Sequence, residues 1–213
     1  MTSQEARKIA RDLMIQRAKE IPGFYCAFFH VSINELPDNH LFPENSDVDI
    51  LIVCEDAIPK TSGKFIEDGL LLDISYLSMH ELGSAQQILA LYYLAGSFRN
   101  RGILAYVTGN LTPLQEEVSR DFAKRFWVRK RCHNAANRVL RFLAQSEAAE
   151  LLPDQVMNWL FANGVLTHIL LVAGLRNPTV RKRYFAVQQL LAEYQLPGFY
   201  ETLLNSLGCA AMD

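Results

Sequence analysis

The segment FPENSDVDILIVCED, residues 42–56, combines closely spaced acidic residues with an apolar run. Within it Asp47 and Asp49 stand two positions apart, and an apolar run over residues 50–53 follows at once. Side chains two positions apart on a strand point to the same face, so the two carboxylates share a face. The run is apolar on both faces, which is typical of a strand inside a sheet. The pattern therefore predicts a central strand over residues 48–53 that begins with acidic side chains.

A third carboxylate, Asp73, interrupts a second apolar stretch, GLLLDISYL, residues 69–77. An unpaired charge in a buried strand is unfavourable, and this strand contains no lysine or arginine to neutralise it. If the two strands are neighbours, Asp73 lies beside Asp47 and Asp49 on one face. Three carboxylates that close repel one another, and a divalent cation removes the repulsion. Because all the ligands are oxygens, magnesium or manganese fits better than zinc.

The simpler interpretation of Asp47 and Asp49 alone is a turn residue and a cap ahead of a strand, with no bound ion. A lone Asp-x-Asp is compatible with either interpretation. The third aspartate, Asp73, favours the metal site, because a turn and a cap would leave its charge in the apolar strand unexplained.

The composition is that of an ordinary globular protein of 213 residues, half of them hydrophobic, with a net charge of −2. A chain this neutral has no overall basic field, so a nucleic-acid partner is not expected. The four cysteines, none in a Cys-x-x-Cys pair, predict free thiols and a reducing, cytoplasmic compartment. The N-terminus lacks the apolar core of a signal peptide. Polar side chains interrupt the apolar residues 156–175, so a buried helix is predicted there rather than a membrane span.

The hydrophobic pattern changes near residue 110. Before it, helical and strand-like periods alternate, with helices over residues 3–20 and 80–95, strands over 24–33, 48–53, 69–77 and 103–107, a loop over 34–46 and a turn over 60–64. After it, every periodic segment is helical, with one helix from Thr112 to about residue 145 and further starts after Pro153, after Pro178 and near Phe199. We therefore predict an α/β domain over residues 1–110 and a helical domain over residues 111–213.

The segment KRFWVRKRCH, residues 124–133, is basic and holds two aromatic residues. On a helix its charged side chains spread around much of the circumference. The same spacing predicts that Phe122, Phe126 and Trp127 face inward. A solvated helix face therefore explains this segment better than a nucleic-acid-binding stripe does.

Two stretches together, NSDVDILIV (residues 45–53) and GLLLDISYLSMHEL (residues 69–82), resemble the nucleotidyltransferase superfamily of the DNA polymerase beta type. The closer likeness is to the small-molecule and antibiotic nucleotidyltransferases, which have a helical C-terminal domain. Ser46, Asp47 and Asp49 match the family's Ser-Asp-x-Asp element, and Asp73 matches its third carboxylate. The resemblance covers roughly residues 20–145.

The resemblance implies an α/β (α+β) nucleotidyltransferase domain with a small mixed sheet, followed by an all-α helical bundle. It implies an enzyme that moves a nucleoside monophosphate from a nucleoside triphosphate to a hydroxyl of a small-molecule acceptor. Mg²⁺, or Mn²⁺ in its place, is expected to be held by Asp47, Asp49 and Asp73, which are then also the catalytic residues. Ser32 and Ser46 are expected to contact the nucleotide.

The resemblance leaves two further points open. The family often takes a carboxylate base from the helical domain, where Glu147, Glu150 and Asp154 are all available and nothing in the sequence selects one. Clefts in this family are sometimes shared across a dimer, so a homodimer is an expected alternative to a monomer. No membrane partner is expected.

One element departs from the family pattern. The family's first strand ends in a Gly-Ser pair, and the matching segment here, FFHVSI, offers Val31 and Ser32. Glycine at that position lets the backbone approach a phosphate, which a side chain obstructs. A second function therefore stays open, a catalytically impaired nucleotidyltransferase-like protein that binds nucleotide or has a regulatory role. The three aspartates favour the enzyme, and Val31 favours the alternative.

Overall fold

The computed structural model describes residues 1–30, 33–34, 36–44, 46–55, 63–100, 103–106 and 111–209. The chain divides into two compact units. The first unit comprises Met1–Ile88 and Leu94–Phe122, and the second comprises Leu89–Tyr93 and Ala123–Asp213. Each unit has apolar core residues of its own.

A five-stranded sheet lies at the centre of the first unit, in the order β3-β4-β2-β1-β5. Its strands are β1 (Phe24–Phe29), β2 (Val48–Cys54), β3 (Gly63–Glu67), β4 (Leu70–Ser78) and β5 (Ile103–Tyr106). β2 and β4 are parallel, and the other neighbouring strands are antiparallel, so the sheet is mixed. β2 is the central strand, as its apolar run predicted. The predicted fold class, an α/β domain with a small mixed sheet followed by helices, is confirmed.

Helix α1 (Ser3–Arg17) covers one face of this sheet. It begins with a capping box, in which the Thr2 hydroxyl accepts the Glu5 N–H and the Glu5 carboxylate accepts the Thr2 N–H. Buried side chains of the helix and of β2 form one cluster, which includes Ala6, Ala10, Met14, Val48, Ile50 and Ile52. Because side chains alternate along β2, Asp49 lies on the opposite face, away from α1.

The hairpin formed by β3 and β4 was missed in the sequence analysis. Asp68 and Gly69 connect the strands, and both have positive φ, 47° and 75°. Two consecutive left-handed residues are typical of a type I′ turn, for which Asp-Gly is a preferred sequence. The prediction of a turn over residues 60–64 was wrong for Gly63 and Lys64, which begin β3. The connecting turn lies after the strand, at Asp68 and Gly69, rather than before it.

Two helices predicted as continuous are interrupted. The segment predicted over residues 80–95 forms α2 (Met79–Leu82), α3 (Ala85–Ala90) and a 3₁₀ helix (Ala95–Phe98). Gly83, with φ 67°, ends α2. The helix predicted from Thr112 to about residue 145 divides into α4 (Thr112–Asp121) and α5 (Arg125–Ala148), because the extended backbone of Lys124 separates them.

Helix α4 belongs to the first unit. The Gln115 side-chain N–H donates to the Phe98 carbonyl at 3.3 Å, and the Ser119 hydroxyl donates to the Arg99 carbonyl at 2.8 Å. These bonds tie α4 to the segment that follows α3, so the compact units divide at Phe122. A domain boundary near residue 110, in the sense of parts that fold independently, stays a prediction.

Helices α5, α6 (Leu152–Ala173), α7 (Arg183–Glu193) and α8 (Gly198–Ser206) form most of the second unit. α6 is the core helix, because its buried residues contribute to both apolar clusters of the unit. Among the described residues, α6 alone is long and apolar enough to cross a membrane. An 18-residue stretch of this helix has a mean hydropathy of 1.6, and 44% of that stretch is buried in the protein. Core helices of globular proteins also meet this criterion, and the packing of α6 agrees with the predicted buried helix.

Candidate metal centre

The three predicted aspartates meet in the interior of the sheet, where the start of β2 lies beside β4. β2 and β4 run parallel in a register that places Asp49 opposite Asp73, and Asp47 directly precedes β2. One carboxylate oxygen of each residue lies within 4.8 Å of one oxygen of each of the other two. All three residues are half-buried. The prediction that two neighbouring strands bring these carboxylates together is therefore confirmed, whereas their catalytic and ligand roles stay predictions.

A cation from the protein itself already lies at this cluster. Lys64 of β3 stands opposite Asp73 in register, and its ammonium bonds to Asp47 Oδ2 and lies 3.5 Å from Asp73 Oδ2. Lys64 was not predicted as a partner of Asp73, because the sequence analysis placed it in a turn over residues 60–64 and did not predict β3. The dipeptide Asp68-Gly69 was the available signal, since a hairpin there places Lys64 beside Asp73.

The donor set fits a hard divalent cation. Its ligands are all carboxylate oxygens, which Mg²⁺ and Mn²⁺ prefer. Oxygens on opposite sides of a Mg²⁺ ion lie about 4.2 Å apart, twice the usual bond length of about 2.1 Å. A pair separated by the full 4.8 Å would therefore have to close by about 0.6 Å. Small side-chain rotations provide that movement, and the Lys64 ammonium shows that the cluster accepts a positive charge.

Of the two serines predicted to contact a nucleotide, the structure describes Ser46 but not Ser32. Ser46 lies in the turn before β2, where its N–H donates to the Pro43 carbonyl at 3.0 Å, and it directly precedes Asp47 in the chain. Ser32, with Val31, lies outside the described residues. Nucleotide contact by either serine stays a prediction.

His30 and Ser97 form a polar pair next to the cluster that the sequence analysis did not identify. The His30 N–H donates to the Asp49 carbonyl at 2.8 Å, so His30 continues β1 beside Asp49. Its Nδ1 lies 2.6 Å from the hydroxyl of buried Ser97. Burial lowers the pKa of His30 to about 4, so its imidazole is neutral at pH 7. A neutral imidazole offers one donor and one acceptor, and Ser97 occupies one of the two.

The three candidate bases of the helical region lie close together in sequence, around the connection between α5 and α6. Glu147 is in the last turn of α5, Glu150 follows that helix, and Asp154 is in the first turn of α6. All three are exposed. Their geometry gives no reason to prefer one of them.

Comparisons with known proteins find similarity to solved structures only. No protein-family model matches the chain, and no curated protein matches it. A solved structure, a nucleotidyltransferase-like protein from Exiguobacterium sibiricum, is similar at 15% sequence identity and a TM-score of 0.42, over 96% of this chain and 71% of that one. Because this similarity is so low, the assignment of the site rests on the geometry of the three aspartates and not on the similar structure.

Proposed function

We propose that this protein is a metal-dependent nucleotidyltransferase that moves a nucleoside monophosphate from a nucleoside triphosphate to a hydroxyl of a small-molecule acceptor. The observation that supports it is the convergence of Asp47, Asp49 and Asp73 within 4.8 Å on two adjacent parallel strands, β2 and β4. An all-carboxylate cluster is suited to Mg²⁺ or Mn²⁺.

In this proposal the three aspartates hold the metal, and the nucleotide lies against Ser46 and Ser32. When bound, the metal lowers the pKa of the attacking hydroxyl and neutralises charge on the transferred phosphoryl group. Asp73 accepts the hydroxyl proton. The acceptor oxygen then forms a bond to the α-phosphorus, the bond from that phosphorus to the bridging oxygen breaks, and pyrophosphate leaves with the electron pair.

Lys64 has a defined part in this proposal. Its ammonium must leave Asp47 before a divalent cation can take that oxygen, because both compete for the same electron pairs. The side chain is 45% exposed, so its flexible stem has room to turn towards solvent. Once released, the ammonium is a positive charge next to the position proposed for the triphosphate.

A second candidate function is a catalytically impaired nucleotidyltransferase-like protein that binds nucleotide or regulates a partner. The observation that favours it is also Lys64, which neutralises Asp47 and Asp73 without any metal. Val31 at the position of the family's glycine favours it as well. Either candidate function is compatible with a homodimer. We also propose a cytoplasmic location, which the four free cysteines support.

Calorimetry separates the two candidates. We expect MgCl₂ with a non-hydrolysable ATP analogue to bind the wild-type protein, and Asp47→Asn with Asp49→Asn to weaken binding about 100-fold, since two of three ligands are lost. Asp12→Asn with Glu20→Gln, two exposed carboxylates of the first unit, is the matched control and should bind normally. Pyrophosphate release with hydroxylated acceptors supports the enzyme. Aspartate-dependent binding without release supports the alternative, and equal binding by all three proteins would refute both.

A further inference from the structure

A groove in the second unit carries positive charge that no acidic side chain among its described lining residues neutralises. It has a volume of about 1000 Å³ and lies between the first half of α5 and the end of α6. Four basic side chains line it, Arg125, Arg129, Lys130 and His133. The rest of the lining is mostly small and apolar, for example Cys132 and Ala136 of α5 and Ile169 of α6. No acidic residue is among its described lining residues.

Three of these four basic residues form one stripe along α5. Arg125, Arg129 and His133 recur every four residues along α5, so they lie on the same side of the helix. In the described part of the chain, none of them forms an ion pair, and the Lys130 ammonium lies over the ring of Phe126, 5.6 Å from its centroid. Like charges four residues apart destabilise a helix. By itself, the stripe therefore lowers the stability of α5.

The position of the stripe in the helix adds to this cost. The first turn of α5 contains no acidic residue. Helix N-termini carry a partial positive charge and favour acidic side chains, whereas cations there are disfavoured. Arg125, the first residue of α5, thus adds positive charge to an end that is already positive. A bound anion would relieve both unfavourable terms, which is a physical reason for the stripe to accept one.

Phe126 suggests what kind of anion fits. The sequence analysis predicted that this ring faces inward, but it is 59% exposed and packs edge-on against Trp127, with ring centroids 4.9 Å apart. An exposed aromatic ring among cations is the combination with which proteins hold nucleotides, since the ring stacks on a base and the cations bind phosphates. We propose that this groove binds the phosphate groups of nucleotides, with Phe126 as the stacking surface for a base.

This inference does not depend on the proposed transfer reaction, so its test excludes the metal centre. Binding is measured in EDTA with three probes: ATP, inorganic tripolyphosphate, and a fluorescein-labelled 12-nucleotide oligouridylate. The oligonucleotide and ATP distinguish the two sources of nucleotide phosphates, a nucleic-acid strand and a free nucleotide. Binding of either ligand supports the proposal, and the one that binds more tightly than the other identifies the source of the phosphate groups.

Two sets of variants test the residues. Arg125→Gln with Arg129→Gln should raise the Kd for every probe about tenfold or more, and should flatten its dependence on salt. Arg138→Gln with Arg141→Gln removes the same charge from the same helix outside the groove lining, and should change the Kd less than about twofold. Phe126→Leu should weaken ATP and the oligonucleotide but leave tripolyphosphate unchanged.

The proposal fails in either of two cases. The first is that no probe binds below about 1 mM at low salt. The second is that the control pair weakens binding as much as the groove pair, which would mean diffuse attraction to a basic helix. Arg125→Lys with Arg129→Lys keeps both charges and should retain most of the affinity. It therefore separates a lost contact from a misfolded variant, with the circular dichroism spectrum as the check on folding.

Discussion

Lys64 sets the charge of the carboxylate cluster when no metal is bound. Its ammonium pairs with Asp47 and Asp73, while all three carboxylates lie within 4.8 Å of one another. Without it, three negative charges would face each other across a half-buried space. Water still reaches the lysine, which is 45% exposed, so screening limits its contribution to about 1 kcal/mol.

The first prediction follows from this charge balance. Lys64→Met should lower the Tm in EDTA by about 3 °C, the shift that about 1 kcal/mol produces in a protein of this size. It should also enlarge the rise in Tm on adding MgCl₂, because no ammonium then competes with the cation. Lys8→Met removes the same charge from an exposed ion pair with Asp12 and should change neither value. Equal shifts in the two variants, measured by differential scanning fluorimetry, would contradict the assigned role.

His168 of α6 gives the stability a dependence on pH. Its Nε2 donates to the Thr179 carbonyl at 3.1 Å, and its buried Nδ1 has no hydrogen-bond partner among the described residues. Burial lowers the pKa of His168 below its ordinary value of 6.5. The Arg183 guanidinium lowers it further, and the bond to Thr179 acts in the opposite direction. Below pH 6.5 the unfolded state therefore takes up a proton more readily than the folded state, so stability falls as the pH decreases.

The second prediction compares two pH profiles. His168→Gln keeps an N–H donor for Thr179 but has no titrating group. Urea unfolding at about pH 7.5 and about pH 5.5 should show that the wild-type protein loses more unfolding free energy than the variant does. His30 titrates in both proteins, so its contribution cancels in the comparison. Parallel profiles would mean that His168 is protonated as easily in the folded state as in the unfolded one.

Among the secondary-structure elements, the β3–β4 hairpin places Lys64 beside the aspartate cluster. The turn of this hairpin can be tested by mutation. Gly69 has φ 75°, and an added Cβ would meet no atom within 4 Å. Gly69→Ala should therefore cost about 1 kcal/mol through backbone conformation alone. Gly63→Ala also places a Cβ in open space, but its φ is not positive, so it should cost less. Urea midpoints that shift equally for the two variants would rule out a turn-specific effect.

The same hairpin explains how much of the site was predictable. β2 and β4 were located from their sequences, because their apolar runs are long and alternation along a strand is a local rule. That Asp73 meets Asp49 required the strands to be neighbours, which depends on the order of strands in the sheet. Lys64 was missed because β3 has no buried residue to mark it as a strand. Ser97 was missed because its partner His30 is 67 residues away, and no local pattern joins them.

At the scale of the whole molecule, the two compact units interleave along the sequence. The segment Leu89–Tyr93 belongs to the second unit, although the chain on both sides of it belongs to the first. Its contacts explain the assignment: buried Arg131 donates to the Leu89 carbonyl at 3.2 Å, and the Tyr92 N–H donates to Asn134 Oδ1 at 3.4 Å. A single cut in the chain near residue 122 would therefore remove from the second unit part of its own core.

Tyr92 provides the final prediction, because it is buried in the cluster formed by α5 and α6 and lies 5.8 Å from the ring of His168. Tyr92→Ala should destabilise the second unit by about 3–5 kcal/mol, the usual cost of removing a buried aromatic ring. Tyr93→Ala is the matched control, since that neighbouring ring is 46% exposed, and it should cost much less. Hydrogen exchange with mass spectrometry should show that Tyr92→Ala raises exchange in peptides of α5 and α6 more than in those of β2 and β4. The opposite pattern would place residues 89–93 energetically with the sheet.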